Sequence, residues 1–194
     1  MFIDVGGQTK ERRKWCQLFQ DMKSVLFLIA SSHFDEEYID KFTQQRRNKL
    51  KEAMFVFEEL INQNAFLRVS VILFFNKTDI LTEKIQARIS NIKKDFPDFP
   101  EKSYPFNLAD VQSFIVESFV KLIDNPHGND KRASYNRSTS LVPNQRVTSL
   151  PVQIPKRTIY RHFTTAIDKG NIEKVFTAMK DTILQSNIRK IMMN

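Results

Sequence analysis

Val69-Ser70-Val71-Ile72-Leu73-Phe74-Phe75 runs directly into Asn76-Lys77-Thr78-Asp79. The first seven residues are a continuous, partly β-branched apolar run of the kind that fills a parallel strand covered on both faces. Ser24-Val25-Leu26-Phe27-Leu28-Ile29-Ala30 follows the same rule. Between the two, from about Gln45 to Asn62, apolar residues recur at helical spacing at Leu50, Met54, Phe57, Leu60 and Ile61. Strand, helix and strand with such buried strands predict a right-handed βαβ unit and a parallel sheet.

Ligands of open α/β sheets sit at the carboxyl ends of the strands, which is where Asn76-Lys77-Thr78-Asp79 falls. An aspartate there can accept two hydrogen bonds from the N1–H and N2–H₂ edge of guanine, which adenine cannot supply. The Lys77 stem can lie over the ring and Asn76 can tie loops together. A second segment, Phe163-Thr164-Thr165-Ala166-Ile167-Asp168, follows a further strand predicted over Thr158 to Phe163, and there a backbone N–H can reach the guanine carbonyl.

The amino-terminal stretch has the same logic. Met1-Phe2-Ile3 ends a short strand, then come Asp4-Val5-Gly6-Gly7-Gln8 and the basic run Glu11-Arg12-Arg13-Lys14-Trp15. Asp4 can hold a metal-bound water, Gly7 can bring a backbone N–H against a terminal phosphate, and Gln8 can orient an attacking water. Read without the rest of the chain, these residues fit equally well a strand, a Gly-Gly turn and a helix with Trp15, Leu18, Phe19 and Met22 on one face.

At 194 residues, 41% hydrophobic and 27% charged, the chain is long enough for one well-buried domain and too short for two large ones. Its net charge is +8, but Lys131, Arg132, Arg137, Arg146, Lys156 and Arg157 face a lone acid, Asp130, between residues 125 and 157. The excess charge is therefore concentrated in a segment that also holds four of the seven prolines. Residues 125–155 read as a flexible basic insertion, since such a segment buries too little to repay its ordering entropy. A nucleic-acid arm would need aromatic interleaving, and Tyr135 is alone there, so no nucleic acid is expected.

One cysteine, Cys16, excludes an intramolecular disulfide and fits a reducing compartment. The longest apolar runs are far below a membrane span, and Phe2 rules out myristoylation on Met1, so a cytoplasmic location without a lipid anchor is expected. His33, His127 and His162 share no metal-ligand spacing with one another or with Cys16. No paired Ser and His suggests a triad.

The remaining elements complete an alternating pattern. A helix is predicted near Glu83 to Lys93, followed by the Pro-punctuated loop Phe96-Pro97-Asp98-Phe99-Pro100, placed where function tends to sit. An amphipathic helix follows over Asp110 to Ile123. A last long helix is capped by Asn171 and has Ile172, Val175, Phe176, Met179 and Ile183 toward the core. Asp35-Glu36-Glu37 reads as a solvated acidic loop.

Asp-Val-Gly-Gly-Gln joined to Glu-Arg-Arg-Lys-Trp, Asn-Lys-X-Asp, and His-Phe-Thr-X-Ala before a chain-ending helix together closely resemble the α-subunits of heterotrimeric G proteins. The resemblance covers nearly the whole chain apart from the 125 to 155 insertion. It implies a three-layer, P-loop NTPase-like (Ras-like) α/β fold, with residues 1–124 and 156–194 forming part of one G domain. It implies GTP and GDP as ligands with Mg²⁺ reached through water by Asp4, Asp4 to Gln8 as the γ-phosphate element, and Gln8 as the catalytic residue. Asn76, Lys77, Thr78 and Asp79 become the guanine-specificity loop, and Ala166 the residue whose N–H meets the base. Arg12 and Glu52 become a pair between the mobile switch helix and its neighbour, and Asp35-Glu36-Glu37 lies at the place of a third switch. The implied partners are a G protein-coupled receptor at the carboxyl-terminal helix, a βγ dimer at Arg12 to Trp15, and effector enzymes or channels, at the cytoplasmic face of the plasma membrane.

Departures from the family pattern matter too. Thr9 and Lys10 stand where Arg-Ser is usual, Ile167 where threonine is usual, and Ile191 where some members carry cysteine. No Gly-X-X-X-X-Gly-Lys-[Ser/Thr] occurs, and Gly6, Gly7, Gly128 and Gly170 cannot make one. An upstream switch threonine, a cis arginine finger and a helical domain are also missing. The 194 residues are therefore expected to be a poor GTPase by themselves, lacking tight GTP binding. A nucleotide-incompetent protein that occupies receptor or βγ is the alternative.

Overall fold

The computed structural model describes residues 4, 15, 22, 24–41, 43–63, 66, 69–124, 159–165, 173, 177, 180, 181 and 184. The strand expected over 2–5, the 125–155 segment and most of the last helix lie outside the described residues. Of that helix, Glu173, Thr177, Lys180, Asp181 and Leu184 are described; Glu173, Thr177, Lys180, Asp181 and Leu184 are helical and exposed.

The expected parallel sheet is present. β1 (Ser24–Ala30), β4 (Ser70–Asn76) and β5 (Ile159–Phe163) lie in the order β1-β4-β5, both pairs parallel. Ala30 is level with Asn76, and Phe75 with Phe163, so all three strands end at one edge of the sheet. A 13-residue helix, α1 (Lys49–Ile61), connects β1 to β4. α2 (Thr78–Gln86), the single turn α3 (Ile92–Asp95) and α4 (Leu108–Asp124) follow β4.

Alternation in β1 puts Val25, Phe27 and Ile29 on the face that carries Val71, Leu73 and Phe75 of β4. Against this face pack Val56, Phe57, Leu60 and Ile61 of α1 and Val111, Ile115 and Phe119 of α4. Phe119 joins the two layers: its ring centroid lies 6.5 Å from Phe27, 5.5 Å from Phe57 and 5.8 Å from Phe75. Offset and edge-on rings at such separations add to the burial of their large apolar area. Trp15, helical and buried, belongs to the same core.

β4 is buried on both faces, as its apolar run predicts, with Ile72 and Phe74 forming a second small cluster with Tyr160. β1 is not. Leu26 and Leu28, on the second face, are 38% and 62% exposed. Among the described residues β1 is the edge strand, and a continuous apolar run does not distinguish an edge strand from a central one.

Three local expectations are corrected. The helix expected from about Gln45 starts at Lys49, because Asn48 is its cap: the side-chain oxygen accepts hydrogen bonds from Leu50 N and Lys51 N. Residues before the cap form an antiparallel hairpin of β2 (Glu37–Ile39) and β3 (Arg46–Asn48). The helix expected over Glu83 to Lys93 is two pieces, broken where Arg88 takes a left-handed backbone (φ 52°) and Ile89 N closes on Lys84 O. Ile85 and Ile92 are both fully buried, and their seven-residue spacing mimics one continuous helix. The Phe96 to Pro100 loop is a packing plug, with Phe96 and Phe99 buried 5.7 and 5.1 Å from Phe114.

The acidic segment is not a solvated loop. β1 leads into a 3-10 turn, Ser31–Asp35, which is held down by charge. Lys84 of α2 donates to Asp35 Oδ1 at 2.6 Å, Glu36 Oε1 at 3.2 Å and Ser32 O at 2.9 Å. Lys49 of α1 donates to Glu36 Oε2 at 2.9 Å. The hydrogen bond from Lys49 holds the Glu36 carboxyl down to about 2, against the opposing effect of burial and with help from Lys84. Burial works against the Lys84 charge, but Asp35 and Glu36 outweigh it and its pKa is raised.

Three outcomes are expected. Phe119→Ala should cost about 3–5 kcal/mol in urea unfolding, and a loss under about 1 kcal/mol would show that the ring is not the joint of the core. Glu36 loses its proton more readily folded than unfolded, so its stabilisation is complete above its ordinary value of 4.5 and disappears as pH falls toward about 2. Lys49→Met should move the acid limb of unfolding, followed by circular dichroism, to higher pH; an unmoved limb would remove Glu36 from the account. Lys84→Met, which strands the partly buried Asp35 carboxylate and leaves Glu36 to Lys49 alone, should cost about 2 kcal/mol at neutral pH.

Candidate functional site

Three segments leave the sheet at its carboxyl edge: Ser31–Asp35 after β1, Asn76–Asp79 after β4 and Thr164-Thr165 after β5. In-register strand ends bring them side by side, and hydrogen bonds lock them. Ser31 Oγ donates to Asn76 O at 2.7 Å. Thr164 N donates to Phe75 O at 2.9 Å, extending the β4–β5 ladder by one step. Thr78 then reaches across, with N and Oγ1 both donating to Thr164 O, at 3.4 and 3.1 Å, and Oγ1 lying 2.9 Å from Thr165 Oγ1.

Within the loop, Asn76 Oδ1 accepts from Lys77 N at 2.8 Å. That bond supports Lys77 in a left-handed conformation (φ 60°, ψ 38°), which costs a residue with a Cβ about 1–2 kcal/mol. Lys77 is the cap of α2, and the reversal there turns the strand into the helix and carries Asp79 into its first turn. A carboxylate in the first turn is favoured by the helix dipole. Asp79 is exposed. The Lys77 ammonium lies 3.1 Å from His33 Nε2. His33 Nε2 also lies 3.7 Å from Glu36 Oε2. Burial pushes the His33 pKa below 6.5, Glu36 opposes, and Lys77, Lys49 and Lys84 push it down further.

Asn76, Lys77, Thr78 and Asp79 are thus brought against the segment that leads to Ala166; Ala166 itself lies outside the described residues. So do Val5, Gly6, Gly7, Gln8 and Arg12. Asp4 is described and exposed. Glu52, expected opposite Arg12, accepts from Arg47 Nη1 at 3.3 Å. Sequence reading did not pick out Ser31 or His33 as parts of this edge. Their signal lay in position alone, each being within three residues of a strand's carboxyl end.

Away from this edge, a concavity of about 360 Å³ lies between the β2–β3 hairpin and α1, lined among others by Arg46, Arg47, Lys51, Glu52 and Phe55. Its charges are largely matched within the chain, since Arg46 pairs with Glu37 at 3.6 Å and Arg47 with Asp40 at 3.5 Å. Among the described residues, no group of three His, Cys, Asp or Glu side chains could hold a metal ion, and no helix is long and apolar enough to cross a membrane.

The sequence matches the G-protein alpha subunit family over residues 1–183. It is 40% identical over 191 residues to guanine nucleotide-binding protein subunit alpha-12 of Rattus norvegicus, covering 98% of this chain and 41% of that protein. It is 38% identical over 192 residues to subunit alpha-13 of Homo sapiens, with 98% and 41% covered. With the alpha-12 subunit of Caenorhabditis elegans the identity is 35% over 192 residues, with 99% and 44% covered. The chain spans about two fifths of the length of these curated relatives. An α/β sheet with three locked loops at its carboxyl edge and a family match over nearly all its residues have one reading: the chain belongs to the G-protein alpha subunit family.

Proposed function

We propose that the carboxyl edge of the sheet is a guanine-recognition site and that the protein is a GTP/GDP-switched signal transducer. The observation that carries this is the Thr78 to Thr164 clamp, which holds Asn76-Lys77-Thr78-Asp79 against the Thr164-Thr165 segment while leaving the Asp79 carboxylate exposed. Asp79 accepts the N1–H and N2–H₂ of the base, the Lys77 stem covers one face of the ring, Asn76 and Thr78 keep the loop in shape, and the Ala166 N–H meets the base carbonyl.

The phosphate end would be served by Asp4-Val5-Gly6-Gly7-Gln8. Gln8 orients the attacking water as the catalytic residue of GTP hydrolysis, and Gly7 offers its N–H to the γ-phosphate. A Mg²⁺ would take its oxygens chiefly from phosphate and water, with Asp4 touching it through a water, in keeping with the sparse protein ligation this ion prefers. Switching would order and release the segment from Asp4 to Trp15, with a βγ dimer meeting Arg12 to Trp15, a G protein-coupled receptor meeting the carboxyl-terminal helix, and effectors reading the ordered form. Because Trp15 is buried, a partner meets the polar residues of that stretch or draws the ring out of the core. These partners would hold the protein at the cytoplasmic face of the plasma membrane.

A second reading is a nucleotide-independent occupant of receptor or βγ, which would meet them through Arg12 to Trp15 and the carboxyl-terminal helix. Calorimetry separates the two. GDP should bind the 194-residue chain weakly, and Asp79→Asn should shift preference from GDP toward xanthosine diphosphate by about tenfold or more. An amide offers one donor and one acceptor, which match the xanthine C2 carbonyl and N1–H. A base preference that Asp79→Asn does not move would sink the guanine site. Capture of βγ unaffected by GDP or GTP would favour the second reading.

A further inference from the structure

His33 sits in the 3-10 turn after β1, one strand away from the loop that carries Lys77. Its Nε2 faces two groups of opposite sign: the Lys77 ammonium at 3.1 Å and the Glu36 carboxylate at 3.7 Å. An ammonium has donors only and an ionised carboxylate has acceptors only. The nitrogen can therefore serve Lys77 only when it carries a lone pair, and Glu36 only when it carries a proton. We propose that His33 is a positioning residue for base recognition, holding the Lys77 side chain through a lone pair on Nε2 and releasing it when Nε2 takes a proton and turns to Glu36. The inference deepens the guanine-site reading and rests on it.

The surroundings favour that exchange. Glu36 is already held by Lys49 and Lys84, so it stays ionised and ready to accept across the pH range where an imidazole titrates. Lys49 from α1, Lys84 from α2 and Lys77 from the β4–α2 loop all oppose the imidazolium; Glu36 from its own turn supports it, and partial burial opposes it. The neutral form is thus the resting one, and it is the form that keeps Lys77 in place. Among the described residues no other group competes for the Lys77 ammonium, while its backbone is pinned by Asn76 Oδ1 and its left-handed φ. With the backbone pinned, the far end of the side chain is the part left to be directed, and His33 directs it.

The exchange predicts that GDP affinity falls with pH below the ordinary histidine range. If base binding favours the lone-pair form about tenfold, affinity falls toward a limit of about tenfold as pH drops well below the His33 midpoint, which itself lies under the ordinary 6.5. Calorimetric titration of the full chain with GDP should show this slope. His33→Gln, whose amide oxygen accepts from Lys77 at every pH, should flatten it. His33→Leu should flatten it at a lowered affinity. His162→Gln, on the other face of the sheet against Phe74, should leave the slope in place. An NMR arm needs no nucleotide: Lys77→Met should raise the His33 titration midpoint and leave that of His162 unmoved. A slope that persists in His33→Gln, or a His33 midpoint indifferent to Lys77→Met, overturns the proposal. Absence of GDP binding at every pH overturns the guanine reading instead, and the NMR arm then decides whether the nitrogen exchanges partners.

Discussion

The in-register ending of three parallel strands is the constraint on which the rest depends. Ala30, Asn76 and Thr164 come out at one level because β1, β4 and β5 pair as they do. A slip of one residue would turn each strand's inward side chains to the opposite face. The aromatic core beneath, in which Phe27, Phe57, Phe75 and Phe119 interlock, makes such a slip costly. Packing inside the molecule thereby sets the geometry of the loops at its edge: Ser31 meets Asn76, and Thr78 meets Thr164, only in this register.

Above the core, charge takes over from apolar burial. The turn after β1 is short and polar, and it stays down because Lys49 and Lys84 reach it from two different helices. Asp35 and Lys84 are each 16% exposed, dry enough for the pair to matter and paired well enough to be tolerated. Burial first, and then the cations of the same cluster against the pull of Glu36, lower the His33 pKa, so the imidazole beside Lys77 rests in its neutral form. A structural clamp and the electrostatics of the neighbouring loop are consequently one arrangement.

Much of this was legible in the residues. The runs Ser24 to Ala30 and Val69 to Phe75 marked the strands within a residue, and the Asn76 to Asp79 loop fell at a carboxyl end as the parallel-sheet rule requires. The helical spacing of Val111, Phe114, Ile115 and Phe119 marked α4. Errors came where two elements share one periodicity. Ile85 and Ile92 sit seven apart on two different helices, and Arg46-Arg47-Asn48 looks like a helix start because hairpin pairing there depends on backbone rather than apolar pattern. Asn48 carries the signal that separates the two, since asparagine is among the strongest helix caps.

The sequence by itself determined the alternation of strands and helices, the position of the Asn76 to Asp79 loop and membership of the G-protein alpha subunit family, because periodicity and short motifs are local properties. Only the tertiary structure decided that Asp35 and Glu36 are clamped by lysines from two helices, that Leu26 and Leu28 lie open on the sheet's second face, and that His33 shares one nitrogen between Lys77 and Glu36. Those facts depend chiefly on which residues 13 to 49 positions apart come within a few ångströms, and that distance is set by strand register and core packing, which no local pattern records.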